Sequence, residues 1–236
     1  NNAAGAIMIT ASHNPPEYNG IKFIPDYAGP ALPETTDKIE QELERVIQEG
    51  LIKEMSLETA KDEGLCRIFD PMPDYKKHIK QLVNLDVICK ANLKLVVDPM
   101  FGAGIDYLDQ IFAEAGCHVI AINNYRDPLF GGSIPEPSSK VLSKLKARVL
   151  SEGADLGLAL DGDADRFGII DSNGEYIIPN QILYMLYYHL LNVRKCRGPV
   201  ARSVATTHML DRMAEKFGYE AEETPVFETY SVVSGD

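Results

Sequence analysis

From residue 94 onward, apolar strand-like runs alternate with amphipathic helical segments, and this rhythm constrains the fold more than any other feature. Residues 95–97 form an apolar run, 105–115 carry helical periodicity closed by Gly116, and 118–122 are apolar again. Residues 138–151 read as a helix with Ser138 or Ser139 as N-cap, and 156–160 as a strand. A β-α-β-α-β order demands a parallel sheet covered by helices. Residues 167–170 and 176–178 then read as a hairpin around Ser172, Asn173 and Gly174. A further cycle follows, with a helix at 181–193, a strand at 200–205, a helix at 209–217 ended by Gly218, and a strand at 219–223.

The first stretch is organised differently. Residues 6–9 form a short apolar strand broken by Thr10, Ala11, Ser12, His13, Asn14 and Pro15. A second strand at 21–24 is reached through Asn19-Gly20, and a helix is expected over 36–49. Residues 53–64 read as a connector, and 74–91 as one long amphipathic helix. The expected fold class is therefore α/β: consecutive small α/β domains with mixed, mostly parallel sheets covered by helices. The expected divisions are 1–65, 66–173 and 174–236.

Composition narrows the function classes. A formal net charge of −12 makes nucleic acid a poor partner. The longest apolar candidate, 182–191, contains His189 and several tyrosines and falls short of the roughly 20 residues a membrane span needs. The four cysteines form no C-x-x-C pair, and are expected to be free thiols in a reducing cytoplasm.

The sharpest chemical signal is the run Asp161, Gly162, Asp163, Ala164, Asp165, Arg166 directly after an apolar strand. Carboxylates at i, i+2 and i+4 crowd negative charge, and a divalent cation removes the repulsion. Hard oxygen donors suit Mg2+ or Ca2+. An EF-hand loop wants Gly at its sixth position and Glu at its twelfth; Arg166 and Ser172 stand there instead. An aspartyl-nucleophile phosphatase is disfavoured, because the threonine expected two places after the second Asp is missing.

The second signal is the Thr10–Pro15 run. Ala11 lets the loop bend sharply and present the Ser12 hydroxyl, while Asn14-Pro15 fixes the exit. Alone, a serine at a strand end is an ordinary turn residue, and His13 an ordinary hydrogen-bonding group. Lys22 lies ten residues past Ser12, on a hairpin expected to return it toward the serine loop, where it would neutralise phosphate or assist proton transfer.

Together, T-A-S-H-N-P followed by Y-N-G-I-K and then D-G-D-A-D-R resemble the α-D-phosphohexomutase superfamily of phosphoglucomutases and phosphomannomutases. Asp98, Pro99, Met100, Phe101, Gly102, Ala103, Gly104 and the run of residues 128–137 resemble that family's second domain. The resemblance implies Ser12 as a phosphoserine, and Mg2+ held by Asp161, Asp163, Asp165 and a Ser12 phosphate oxygen. It implies Arg166 beside the phosphoryl group, His13 and Lys22 as polar assistants with Lys22 the better general acid/base candidate, and Thr224 as a substrate contact. The implied reaction interconverts hexose 1-phosphate and hexose 6-phosphate through a hexose 1,6-bisphosphate. A phosphoglucosamine substrate is the nearest alternative; a non-catalytic metal- or phosphosugar-binding module is the alternative of another class.

The family's usual start, the end of its third domain and its fourth domain have no counterpart here, so the expectation is a fragment with little mutase activity alone. After Val226, Gly, an aromatic residue and Lys are expected, but the sequence reads Phe227, Glu228, Thr229.

Overall fold

The computed structural model describes residues 3–225. The departure expected after Val226 lies outside the described residues.

Strands β1 (Gly5–Ile9) and β2 (Ile21–Pro25) form a two-stranded antiparallel sheet in which Ile9 faces Ile21 and Met8 faces Lys22. Helix α1 (Pro33–Gln48) starts three residues before the expected position, because Pro33 suits a first helical turn. The expected connector contains helix α2 (Leu57–Asp62), whose first turn is capped by Ser56 Oγ accepting from the Thr59 amide at 3.0 Å.

The long helix expected over 74–91 is two helices, α3 (Met72–Leu82) and α4 (Leu85–Ala91). Val83 turns extended, with φ −113° and ψ 132°, and Asn84 recaps the chain by accepting from the Val87 amide. An apolar periodicity that survives so short a break conceals the break from sequence reading.

Strand β3 (Lys94–Asp98), helix α5 (Leu108–Glu114), β4 (His118–Ala121), helix α6 (Ser143–Glu152), β5 (Leu156–Leu160), β6 (Phe167–Asp171) and β7 (Tyr176–Ile177) build a five-stranded sheet in the order β4-β3-β5-β6-β7. Both helices start later than expected. Residues ahead of α5 are held in turns, with Asp106 at φ 64°. Residues ahead of α6 turn on the Ser138 carbonyl, which accepts from the Val141 and Leu142 amides.

Neighbours β4, β3 and β5 run parallel, while β6 and β7 are antiparallel. The hairpin around Ser172 keeps both its strands in this sheet, so the sheet continues to Ile177, past the division expected at 173. One core cluster lies between this sheet and α6, where Val96, Leu145, Val149, Ala159 and Ile170 are 0–1% exposed; another gathers Leu95, Val97 and Cys117 with Ile88 and Phe112.

Helix α7 (Pro179–Tyr188) widens into one π-helical turn, His189–Val193. Strand β8 (Val200–Ser203), helix α8 (Met209–Phe217) and β9 (Ala221–Thr224) follow, with β8 and β9 parallel. Arg202 is 7% exposed and ties the three elements together through Asp211 on α8 and Glu223 on β9. The four cysteines are free. Among the described residues no helix is long and apolar enough to cross a membrane.

Candidate phosphoryl-transfer and metal site

The acidic loop leaves the carboxyl end of β5 and returns through β6. It is closed by backbone bonds: Asp161 N–H donates to the Arg166 carbonyl at 3.2 Å, and Ala164 N–H to the Asp161 carbonyl at 3.1 Å. Ala164 takes φ 64°, the left-handed conformation that lets so short a loop turn back.

Within this loop each of two carboxylates has one oxygen engaged and one free. Asp161 is wholly buried; its Oδ1 accepts from the Arg166 amide at 3.0 Å, and its Oδ2 has no hydrogen-bond partner. Asp163 Oδ2 accepts from the Thr10 hydroxyl at 2.9 Å, and its Oδ1 is likewise buried and unpartnered. One oxygen from each of Asp161, Asp163 and Asp165 lies within 4.8 Å of the others. A single ion with oxygen ligands at about 2.1–2.5 Å spans such a set. Burial holds the Asp161 carboxyl above the usual carboxylate range; the Arg166 amide works against this, and the charges of Asp163 and Asp165 add to it. Unpartnered buried oxygens are costly, and a hard divalent cation would satisfy them and relieve the repulsion. The residues present therefore fit such an ion.

The serine loop comes against this one from near the start of the chain. Thr10 N–H donates to the Gly20 carbonyl at 3.0 Å, closing the loop's base at the end of the β1–β2 ladder. Ser12 adopts φ 56°, a sparsely populated conformation for a residue with a side chain, and its amide donates to Thr10 Oγ1 at 2.8 Å. Ser12 Oγ lies 3.2 Å from His13 Nδ1, and His13 Nε2 lies 3.3 Å from Arg166 Nη1. Serine, histidine and arginine thus form a chain of contacts from one loop to the other.

Close backbone packing joins the loops. A Cβ at Gly162 would lie 2.7 Å from the Ser12 carbonyl and 3.1 Å from the Pro135 ring. A Cβ at Gly102 would lie 2.4 Å from the Gly162 carbonyl, which accepts from the Ala103 amide at 2.9 Å. Glycine is required at both positions for this approach. The turn carrying Gly102 is braced by Asp98 at the end of β3, which accepts from the Met100 amide and from Asn123 Nδ2. Burial pushes the Asp98 carboxyl up, while these bonds pull it down.

Ser12 and Asp163 face an open cleft of about 900 Å3, also lined by Asn14, Tyr18, Phe101, Arg126 and Phe130. The structure thus brings together Ser12, His13, Arg166, Asp161, Asp163 and Asp165. It does not bring in Lys22, which sits on β2 opposite Met8 of β1 and lines a separate depression with Phe23 and Ile24. Nor does it bring in Thr224, whose hydroxyl bonds the Arg202 carbonyl at the end of β9.

Thr10 and Gly102 stand within the sequence motifs but without a role of their own there, and Arg126 carries no sequence signal. Thr10 left a signal: a hydroxyl two residues before a backbone amide that turns away is a common turn-forming partner. The Gly102 contact and the exposure of Arg126 in the cleft are tertiary and leave no local pattern.

The chain matches three successive domain families, described as phosphoglucomutase/phosphomannomutase alpha/beta/alpha domain I (residues 1–49), domain II (73–174) and domain III (178–231). The chain belongs to the phosphoglucomutase/phosphomannomutase family. It is 34% identical over 227 residues to a phosphoglucomutase/phosphomannomutase of Thermococcus kodakarensis, covering 95% of this chain and 48% of that one. It is 35% identical over 241 residues to a protein of Methanothermobacter thermautotrophicus named probable phosphoglucosamine mutase, covering 94% and 51%. Among solved structures, a Thermus thermophilus protein assigned as a phosphomannomutase aligns with TM-score 0.77 and 31% identity, over 95% of this chain and 49% of that one. The chain spans about half the length of the curated relatives it matches.

Proposed function

We propose that this chain supplies the phosphoryl-transfer side of a phosphosugar mutase. The reaction interconverts hexose 1-phosphate and hexose 6-phosphate, with Ser12 as the phosphoryl carrier and a hexose 1,6-bisphosphate as the intermediate. The observation that carries the reading is the docking of the serine loop on the acidic loop, through the Thr10–Asp163 hydrogen bond and the seating of Gly162 against the Ser12 carbonyl. Membership of the family supports it.

In the first half-reaction the free hydroxyl oxygen of the substrate forms a bond to phosphorus as the Ser12 Oγ–P bond breaks. The proton lost by that hydroxyl is matched by one gained at Ser12 Oγ. The contact of His13 Nδ1 with Ser12 Oγ supports His13 as the group that returns this proton; no comparable contact supports Lys22. After the intermediate turns round, the same steps in reverse return its other phosphate to Ser12. Such transfers depend on alignment and charge neutralisation. Asp161, Asp163 and Asp165, with a Ser12 phosphate oxygen, would hold Mg2+, which supplies neutralisation of the phosphoryl oxygens. Arg166, in contact with His13, adds a cation at the same place. We assign the working units as 1–65, 66–177 and 178–236, with a cytoplasmic setting suited to the free thiols.

A glucosamine phosphate is the second substrate reading, favoured by the relatives named probable phosphoglucosamine mutase at identities matching that of the Thermococcus protein. Incubation with a hexose 1,6-bisphosphate, followed by intact-mass measurement, tests the phosphoserine. The expected result is one added phosphoryl group of about 80 Da, absent in Ser12→Ala. No mass gain in the unaltered chain counts against the reading.

A further inference from the structure

The hydroxyl of Thr10 stands between the two loops with both of its hydrogen-bonding capacities used. Its proton goes to Asp163 Oδ2 at 2.9 Å, across 153 residues of sequence. Its oxygen accepts the Ser12 amide at 2.8 Å, holding Ser12 at φ 56°. No other side-chain hydrogen bond among the described residues connects the serine loop directly to a carboxylate of the acidic loop.

We propose that Thr10 is a positioning residue that clasps the phosphoryl-carrying loop to the metal-holding loop, so that the conformation of Ser12 and the metal affinity of Asp163 are set by one hydroxyl. The proposal rests on reading Ser12 as the phosphoryl carrier and the acidic loop as a cation site.

The hydroxyl acts on both loops. On the acidic side, Thr10 occupies one oxygen of Asp163 and thereby decides which oxygen remains; the remaining Oδ1 is the buried, unpartnered one. Asp161 is arranged in the same way, with the Arg166 amide in the role of Thr10. A carboxylate held by one oxygen offers the other in a fixed direction, which lowers the ordering cost of binding an ion. On the serine side, a left-handed backbone at a residue with a Cβ persists only where its surroundings over-determine it. The Thr10 oxygen supplies the partner for the amide that this conformation turns inward. Since the same hydroxyl serves both loops, a change felt by one is felt by the other, and the coupling is reciprocal.

The test uses the full chain and four variants: Thr10→Val, which keeps shape and removes the hydroxyl; Thr10→Ser, which keeps the hydroxyl; Asp163→Ala; and the Thr10→Val, Asp163→Ala double variant. The first readout is residue-resolved amide hydrogen exchange at Ser12 without metal. Thr10→Val should speed it roughly tenfold, the loss expected for a charge-linked hydrogen bond; Thr10→Ser should restore it. Asp163→Ala should speed it several-fold in the Thr10 background and have no further effect in the Thr10→Val background. The second readout is Mg2+ affinity by calorimetry, which should fall roughly tenfold in Thr10→Val and stay within about twofold in Thr10→Ser.

A Ser12 amide indifferent to Asp163→Ala, or effects that multiply independently in the double variant, would overturn the clasp. Thr10→Val binding Mg2+ as tightly as the unaltered chain, with the Ser12 amide unchanged, overturns it while leaving the cation site standing. If the unaltered chain binds no Mg2+ but the exchange cycle behaves as described, the clasp holds and the cation reading fails.

Discussion

The acidic loop leaves a sheet whose strands bury Leu95, Val96, Val97 and Ala159 to 0–1% exposure, whereas the serine loop leaves a hairpin in which Ile7, Ile9 and Ile21 are 69–76% exposed. Among the described residues up to 65, none is buried. One half of the site thus stands on a packed core, and the other is held by what it touches. A packed core fixes a loop by making every displacement cost contacts. A two-stranded hairpin without such backing is marginal by itself, so the position of Ser12 depends on Thr10, Gly162 and the His13–Arg166 contact.

The contrast is most easily broken by truncating side chains on either side of it. Leu145→Ala, in the core under the five-stranded sheet, should lower unfolding free energy by about 2–5 kcal/mol in denaturant titration. Ile21→Ala on the hairpin should cost less than about 1 kcal/mol. Equal costs would erase the distinction drawn between the two regions.

Asp163→Asn should weaken Mg2+ binding, in calorimetry, by more than the roughly tenfold expected for its hydrogen-bond partner in Thr10→Val, while leaving the unfolding midpoint nearly unchanged. Loss of the fold instead would make the acidic loop part of the scaffold.

Gly162→Ala should push the loops apart, because its Cβ would enter the space of the Ser12 carbonyl. The expected cost is about 1–3 kcal/mol, seen as faster proteolysis between Thr10 and Gly20 with the sheet's amide protection retained.

The smallest effect is expected for Asp171→Asn, at the far end of β6. Its carboxylate accepts from the Glu175 and Asn173 amides and is held below the usual range, first by the Glu175 amide. Its folded pKa is depressed, so its contribution to stability is present above the unfolded value of about 4 and is lost as pH falls through the folded one. Asp171→Asn should leave Mg2+ affinity within about twofold and flatten the acid limb of a stability-against-pH curve.

Much of this was legible in the sequence, for physical reasons. The β-α-β rhythm placed Asp161 at the end of a buried strand, and the i, i+2, i+4 spacing placed three carboxylates together; both are local patterns. The serine turn was legible for the same reason. The break at Val83 was not, since the apolar faces of α3 and α4 continue the same periodicity across it. The position of Lys22 followed from register: pairing Ile9 with Ile21 sets it beside Met8, back along the hairpin from the loop. Thr10 and Gly102 act through Asp163 and Gly162, each far along the chain, and no pattern in a single sequence encodes such a meeting.

The most direct test is to add Mn2+ as a paramagnetic stand-in and follow the amide signals of residues 10–14 by NMR. A shared cation predicts that the Ser12 and His13 signals broaden together with those of residues 161–166, at the same low metal ratio, and that Asp163→Ala abolishes both. Broadening confined to the acidic loop, with Ser12 untouched at saturation, would contradict the account.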